Sequence, residues 1–183
     1  MAHATQITTR LPAPEEMFQS GQCVQMGFLS EAMTSVDPMG LSPFTESIFL
    51  ATICGRALSH RQQSAVEHVY SNVPQHFWDR HVWLDTILRT RADILLLNYP
   101  PSSQHADCML LFTNMVAQTT VLYLCKVMES MSWETDEYRN TIQEFKQRSL
   151  LAAQEIVHLT RSLANLSYFK VSPYLFASAY ASS

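Results

Sequence analysis

The sequence predicts an all-α fold: an irregular multi-helix domain built around a central buried helix. Three observations carry this expectation. All four glycines lie at or before Gly55, so the rest of the chain lacks a residue that weakens helix interiors. Apolar residues recur at the i, i+3, i+4, i+7 spacing of a helical face. No stretch alternates apolar and polar residues over the length of a strand.

Residues 1–40 read as a linker or partly ordered tail. Pro12, Pro14, Gly21, Gly27, Pro38 and Gly40 interrupt any period there. The body is expected to run from 41 to 183. Its first helix is expected at Ser42-Pro43, where serine accepts the free backbone N–H groups and proline suits the first turn. Leu50, Ile53, Cys54, Ala57 and Leu58 then share one face. A second helix is expected near Pro74, with Phe77, Leu84, Ile87, Leu88 and Leu95 facing inward. It ends at the Asn98–Ser103 turn, because a residue before proline avoids the helical region.

The third helix, about 104–130, carries apolar residues on every side, which predicts a buried central element. Thr113, Asn114, Gln118 and Thr120 lie within it. Buried polar side chains need partners, so these four are candidates for the lining of a ligand cavity. The fourth helix is expected after Ser132, with Glu134, Asp136 and Glu137 complementing the helix dipole. Tyr138, Ile142, Phe145, Ser149, Ala152, Ile156, Leu159 and Leu163 follow at alternating spacings of four and three. That heptad-like seam predicts helix packing, within the chain or in a dimer. Ser172-Pro173 repeats the helix-start signal, and Tyr174, Leu175, Phe176, Ala179 and Tyr180 follow. The domain therefore reads as incomplete at this end.

Composition narrows the function. The chain has 183 residues, a net charge of -4 and 15% charged residues, against an average of about 25%. A surface so poor in charge suggests that part of it is covered. An acidic balance without a basic patch argues against direct DNA contact. Cys23, Cys54, Cys108 and Cys125 are widely spaced and read as reduced thiols in an intracellular protein. No segment reads as a membrane span.

Catalytic and metal chemistry find no constellation. His105, Asp107 and Cys108 cluster, but a helix cap beside a buried cysteine accounts for them. Glu134, Asp136 and Glu137 could hold a divalent cation only opposite a second carboxylate set, so a helical metal-dependent enzyme is a minor alternative. No Gly-rich phosphate loop or nucleophile elbow occurs. The expectation is no catalytic residue, no metal site and no cofactor in this chain.

Four segments together resemble the regulatory, or middle homology, domain of fungal zinc-cluster transcription factors. They are Leu41–Gln62 with its Gly55-Arg56 step, Phe77–Asp85, the apolar Met109–Leu124, and the stretch from Ala152 through Ser172-Pro173-Tyr174. The resemblance covers about residues 41–183 and implies the C-terminal part of such a domain. It implies a nuclear regulator, of secondary metabolism among the family's usual targets, with protein partners, homodimerisation or a small-molecule effector. It also implies that DNA is met only through a separate six-cysteine module, where zinc is expected. That close cysteine spacing is absent here, so neither zinc nor DNA carries over to any residue. A fragment or truncated regulator is thus the leading expectation. The alternative is a standalone dimerisation or interaction module that antagonises a full-length regulator.

Overall fold

The computed structural model describes residues 9–34, 41–70, 74–100, 107–130 and 139–165. Six helices occur among them: α1 Glu15–Gln19, α2 Leu29–Ala32, α3 Pro43–Tyr70, α4 Pro74–Asn98, α5 Cys108–Glu129 and α6 Arg139–Asn165. No strand occurs among the described residues; the one sheet-like pairing is an isolated antiparallel bridge between Arg10 and Phe28. The all-α expectation is met.

The helix starts follow local chemistry. At α3 the Ser42 hydroxyl accepts the Thr45 N–H, while the Glu46 carboxylate accepts the Leu41 N–H. At α5 the Asp107 carboxylate accepts from the N–H groups of Met109 and Leu110. Both arrangements fill donors that a helix leaves open in its first turn. The residues that would show how α6 begins, with Glu134, Asp136, Glu137 and Tyr138, lie outside the described residues.

Helix α5 is central because it packs on α3, α4 and α6 together. Its Leu111 and Leu124 are fully buried, and Leu110, Ala117 and Leu124 join Leu50, Ile53, Ala57, Leu84, Leu88 and Leu95 in one cluster. Phe145 of α6 closes a second cluster with Phe77, Cys125, Val127 and Met128. Among the described residues, α5 is the one helix with the length and apolarity of a membrane-crossing helix, a property not expected from the sequence. In this fold its apolar sides are instead matched by three helices.

Two details depart from the helical-face reading. Leu58 was expected on the inner face of α3 but is exposed, because the buried line of α3 runs through Ile53, Ala57, His60 and Ser64 and leaves Leu58 to one side. Phe112 lies exposed on α5 between buried Leu111 and Thr113. The central helix therefore keeps one open stripe. Residues 9–34 fold back on themselves. Leu11 donates to the Gly27 carbonyl and Leu29 to that of Thr9, and the turn between uses Gly21 at a φ of 68°, a region that favours glycine. From this segment Met33 enters the main core.

Candidate functional site

The four polar residues of α5 divide into two kinds. The Thr113 hydroxyl donates to the Met109 carbonyl at 2.6 Å and that of Thr120 to Val116 at 2.7 Å. Both threonines are buried and satisfied inside their own helix, an ordinary use of threonine in helices. Asn114 and Gln118 differ. The Gln118 amide donates to Asn114 Oδ1 at 3.1 Å, and both side chains line an open cleft of about 670 Å³ between α4, α5 and α6.

Leu95 and Leu96 of α4 form one wall of this cleft, and Leu151 and Ala152 of α6 form the other. Leu96 is 50% and Leu151 60% exposed. Glu155 and His158 stand along the α6 rim. Arg148 closes one end and is fixed in place by two hydrogen bonds to Asp85, of 3.0 and 2.7 Å. The Asp85 carboxylate also pairs with Arg89 one helical turn on, at 3.0 Å. The arrangement suits a largely apolar occupant that meets an amide pair at the floor.

A second, smaller recess of about 240 Å³ lies beside Met33, Phe49, Trp83, Ile87 and Arg91. Its Arg91 is paired with Glu46 in the interior, and the guanidinium carbon sits 4.6 Å from the Phe49 ring centre. The two residues are 45 positions apart. Sequence reading missed this pair, since no local pattern links an acid in the first turn of α3 to a base in α4.

A histidine pair was likewise invisible. His60 Nε2 and His81 Nδ1 are 3.2 Å apart, with both residues buried. Phe77 stacks on His81, and Phe145 meets its edge. Burial lowers the pKa of both imidazoles from 6.5 to about 4; the nearby Arg80 adds to this at His60, and His60 itself adds to it at His81. Both rings are therefore neutral at pH 7. Arg80 reaches His60 Nδ1 at 3.4 Å and holds Glu67 through both guanidinium nitrogens.

The seam residues lie inside this chain's own packing. Phe145, Ala152 and Leu159 are buried, while Ile142, Ser149 and Ile156 are half-buried. The side chains of Tyr138 and Leu163 fall outside the described residues. The cysteines are free: Cys125 is buried, Cys54 and Cys108 half-buried, and Cys23 exposed. Burial pushes the Cys125 thiol up, which makes it less reactive. Among the described residues no three His, Cys, Asp or Glu side chains gather as a metal site. Asp107 is a helix cap, and His105 lies outside the described residues.

The chain is similar over most of its length to fungal transcription regulators. It is 52% identical over 169 residues to the pigment biosynthesis transcriptional activator pigB of Monascus ruber, a match spanning 92% of this chain and 30% of that protein. It is 46% identical over 167 residues to the citrinin biosynthesis transcriptional activator ctnR of Monascus purpureus, covering 91% and 29% of the two chains. It is 42% identical over 171 residues to the transcription factor tazR of Aspergillus terreus, covering 92% and 27%. The chain thus spans under a third of the length of these relatives. No family model and no solved structure matches it.

Proposed function

We propose that this chain is the helical regulatory part of a fungal transcription regulator that controls a biosynthetic gene cluster. Its carrying observation is the 52% identity to a pigment-cluster activator across 92% of the chain. Relatives named for citrinin and pigment biosynthesis make a secondary-metabolite cluster the target class. The work is regulatory rather than catalytic and takes place in the nucleus. The resemblance to the middle homology domain supports this assignment, as does the helical packing around α5. DNA contact belongs to a separate module, because this chain has a net charge of -4 and no closely spaced cysteines.

The α4–α5–α6 cleft is the part of this domain best shaped to couple regulation to something bound. A standalone antagonist that dimerises is the second reading. Its motivating seam has Phe145 packed on Cys125, Val127 and Met128 of the same chain, which leaves less of the seam for a partner.

Disruption of the locus in its own fungus tests the proposal. Transcripts of the adjoining biosynthetic genes should fall at least about ten-fold, while distant genes hold steady. Unchanged transcripts would overturn the assignment. A rise in those transcripts would favour the antagonist.

A further inference from the structure

Helix α4 has a second working face besides the one it turns to the α4–α5–α6 cleft. Trp83, Ile87, Thr90 and Ile94 recur every three or four residues, which lays them along one side of the helix. With Phe49 of α3 and Met33 of segment 9–34 they line the recess of about 240 Å³. The recess shares no residue with the cleft. Its lining lies wholly among the described residues, whereas the helix expected from Ser172-Pro173 to Tyr180 lies outside them. We propose that this recess is a binding site for a small, neutral aromatic carbonyl compound whose oxygen accepts a hydrogen bond from Arg91 Nε.

The donor comes first. Arg91 is 6% exposed and lines the recess. Its pairing with Glu46 uses one terminal nitrogen, Nη2. Its Nε is buried and has no hydrogen-bond partner among the described residues. A buried N–H without a partner is costly, so an acceptor brought into the recess supplies what this group lacks. Phe49 sits against the guanidinium at 4.6 Å and Glu46 anchors it, which holds the donor in place. The neighbouring Thr86 and Thr90 hydroxyls donate to the carbonyls of Val82 and Thr86 at 2.7 and 2.9 Å. Their protons are thus committed to their own helix, and Arg91 Nε is left to serve a ligand.

The charge of the ligand follows. Glu46 already balances Arg91. An anion would bring an uncompensated charge into a lining that is otherwise apolar or hydroxyl-bearing, and that is costly. A neutral carbonyl takes the N–H without this cost, and a donor on a cation makes a stronger bond than a neutral donor does.

Size and shape set the rest. An apolar cavity of about 150 Å³ holds one benzene molecule, so the larger recess has room for a substituted ring or two small fused rings. Met33, Phe49 and Ile94 are buried and give it an apolar floor. Trp83 is 37% exposed, and its indole offers a flat apolar surface near the opening for an aromatic ring. A ligand held there touches segment 9–34, α3 and α4 together, and so fastens that segment to the helices.

Isothermal titration of the full chain with 1-tetralone, a two-ring aromatic ketone, and with tetralin, its analogue without the oxygen, tests the proposal. The wild type should bind the ketone at least about ten-fold more tightly than the hydrocarbon. Glu46→Leu with Arg91→Met removes both buried charges together and should erase that preference. Thr90→Phe fills the recess from a half-buried position and should abolish binding of both probes. Leu151→Glu, in the α4–α5–α6 cleft and 60% exposed, is the control and should leave both affinities unchanged. Hydrogen exchange at residues 29–34 should slow about ten-fold under saturating ketone. No binding by the wild type, equal affinity for the two probes, or unchanged exchange at residues 29–34 while the ketone binds overturns the proposal. So does a preference that persists in the double variant, or ketone binding that survives Thr90→Phe, where the variant still melts cooperatively. Loss of ketone binding in Leu151→Glu also overturns it, and assigns the ketone to the cleft.

Discussion

His60 and His81 share a ring-to-ring hydrogen bond of 3.2 Å in a pocket of aromatic side chains. The bond joins α3 to α4, and Phe145 brings α6 onto the same spot. Two imidazoles so placed are stable partners only while neutral, since a charge on either ring would be buried without a counter-charge in contact.

This sets a pH dependence. Each histidine has a folded-state pKa near 4, below the unfolded 6.5. The unfolded chain therefore binds these protons first as pH falls. The stabilisation is fully present above about pH 6.5 and is lost as pH drops toward 4. Urea midpoints should hold between pH 8 and 7, then fall through pH 6, 5 and 4, by a few kcal/mol in total. His81→Phe should flatten that slope. An equally steep slope in the variant would remove the pair as its source.

The Glu46–Arg91 pair should respond asymmetrically to mutation. Glu46→Ala leaves a buried guanidinium alone and should cost about 3–5 kcal/mol. The double change Glu46→Leu with Arg91→Met removes both charges and should lie closer to the wild type than either single change. Chemical denaturation of the four proteins closes the double-mutant cycle.

Neighbouring residues of α5 should differ sharply. Leu111 is fully buried and Phe112 is 57% exposed. Leu111→Ala should cost about 2–5 kcal/mol through lost burial and a residual cavity. Phe112→Ala should change stability by less than about 1 kcal/mol. Equal losses at the two sites would mean that Phe112 is covered in solution.

The cap of α5 has a measurable contribution. Asp107→Ala should destabilise the protein by about 1 kcal/mol, and Asp107→Asn by much less, because asparagine caps nearly as well. Thermal melts of the two variants suffice. Indistinguishable melts would mean that the carboxylate matters through charge or not at all.

The candidate site was half legible. The sequence singled out Asn114 and Gln118, and the structure sets both in the cleft. It also singled out Thr113 and Thr120, whose hydroxyls turn back onto their own helix. Periodicity marks a polar residue in an apolar helix but not the rotamer that decides whether its hydroxyl serves the backbone or a cleft. Leu96 and Leu151 could not be foreseen as opposite walls, since they lie on different helices and far apart in the chain.

What the sequence determined is local. Ser42-Pro43 and Pro74 announced α3 and α4, the apolar run announced α5, and the phase of Leu84, Leu88 and Leu95 announced the buried face of α4. Each signal lies within a turn or two of helix, where backbone hydrogen bonds and caps act between near neighbours. The tertiary structure alone decided that Glu46 meets Arg91, that His60 meets His81, that Asp85 meets Arg148 across 63 positions, and that Met33 belongs to the core. Those pairings follow from how the helices cross, and crossing is set by the packing of whole faces, which no short window of sequence contains.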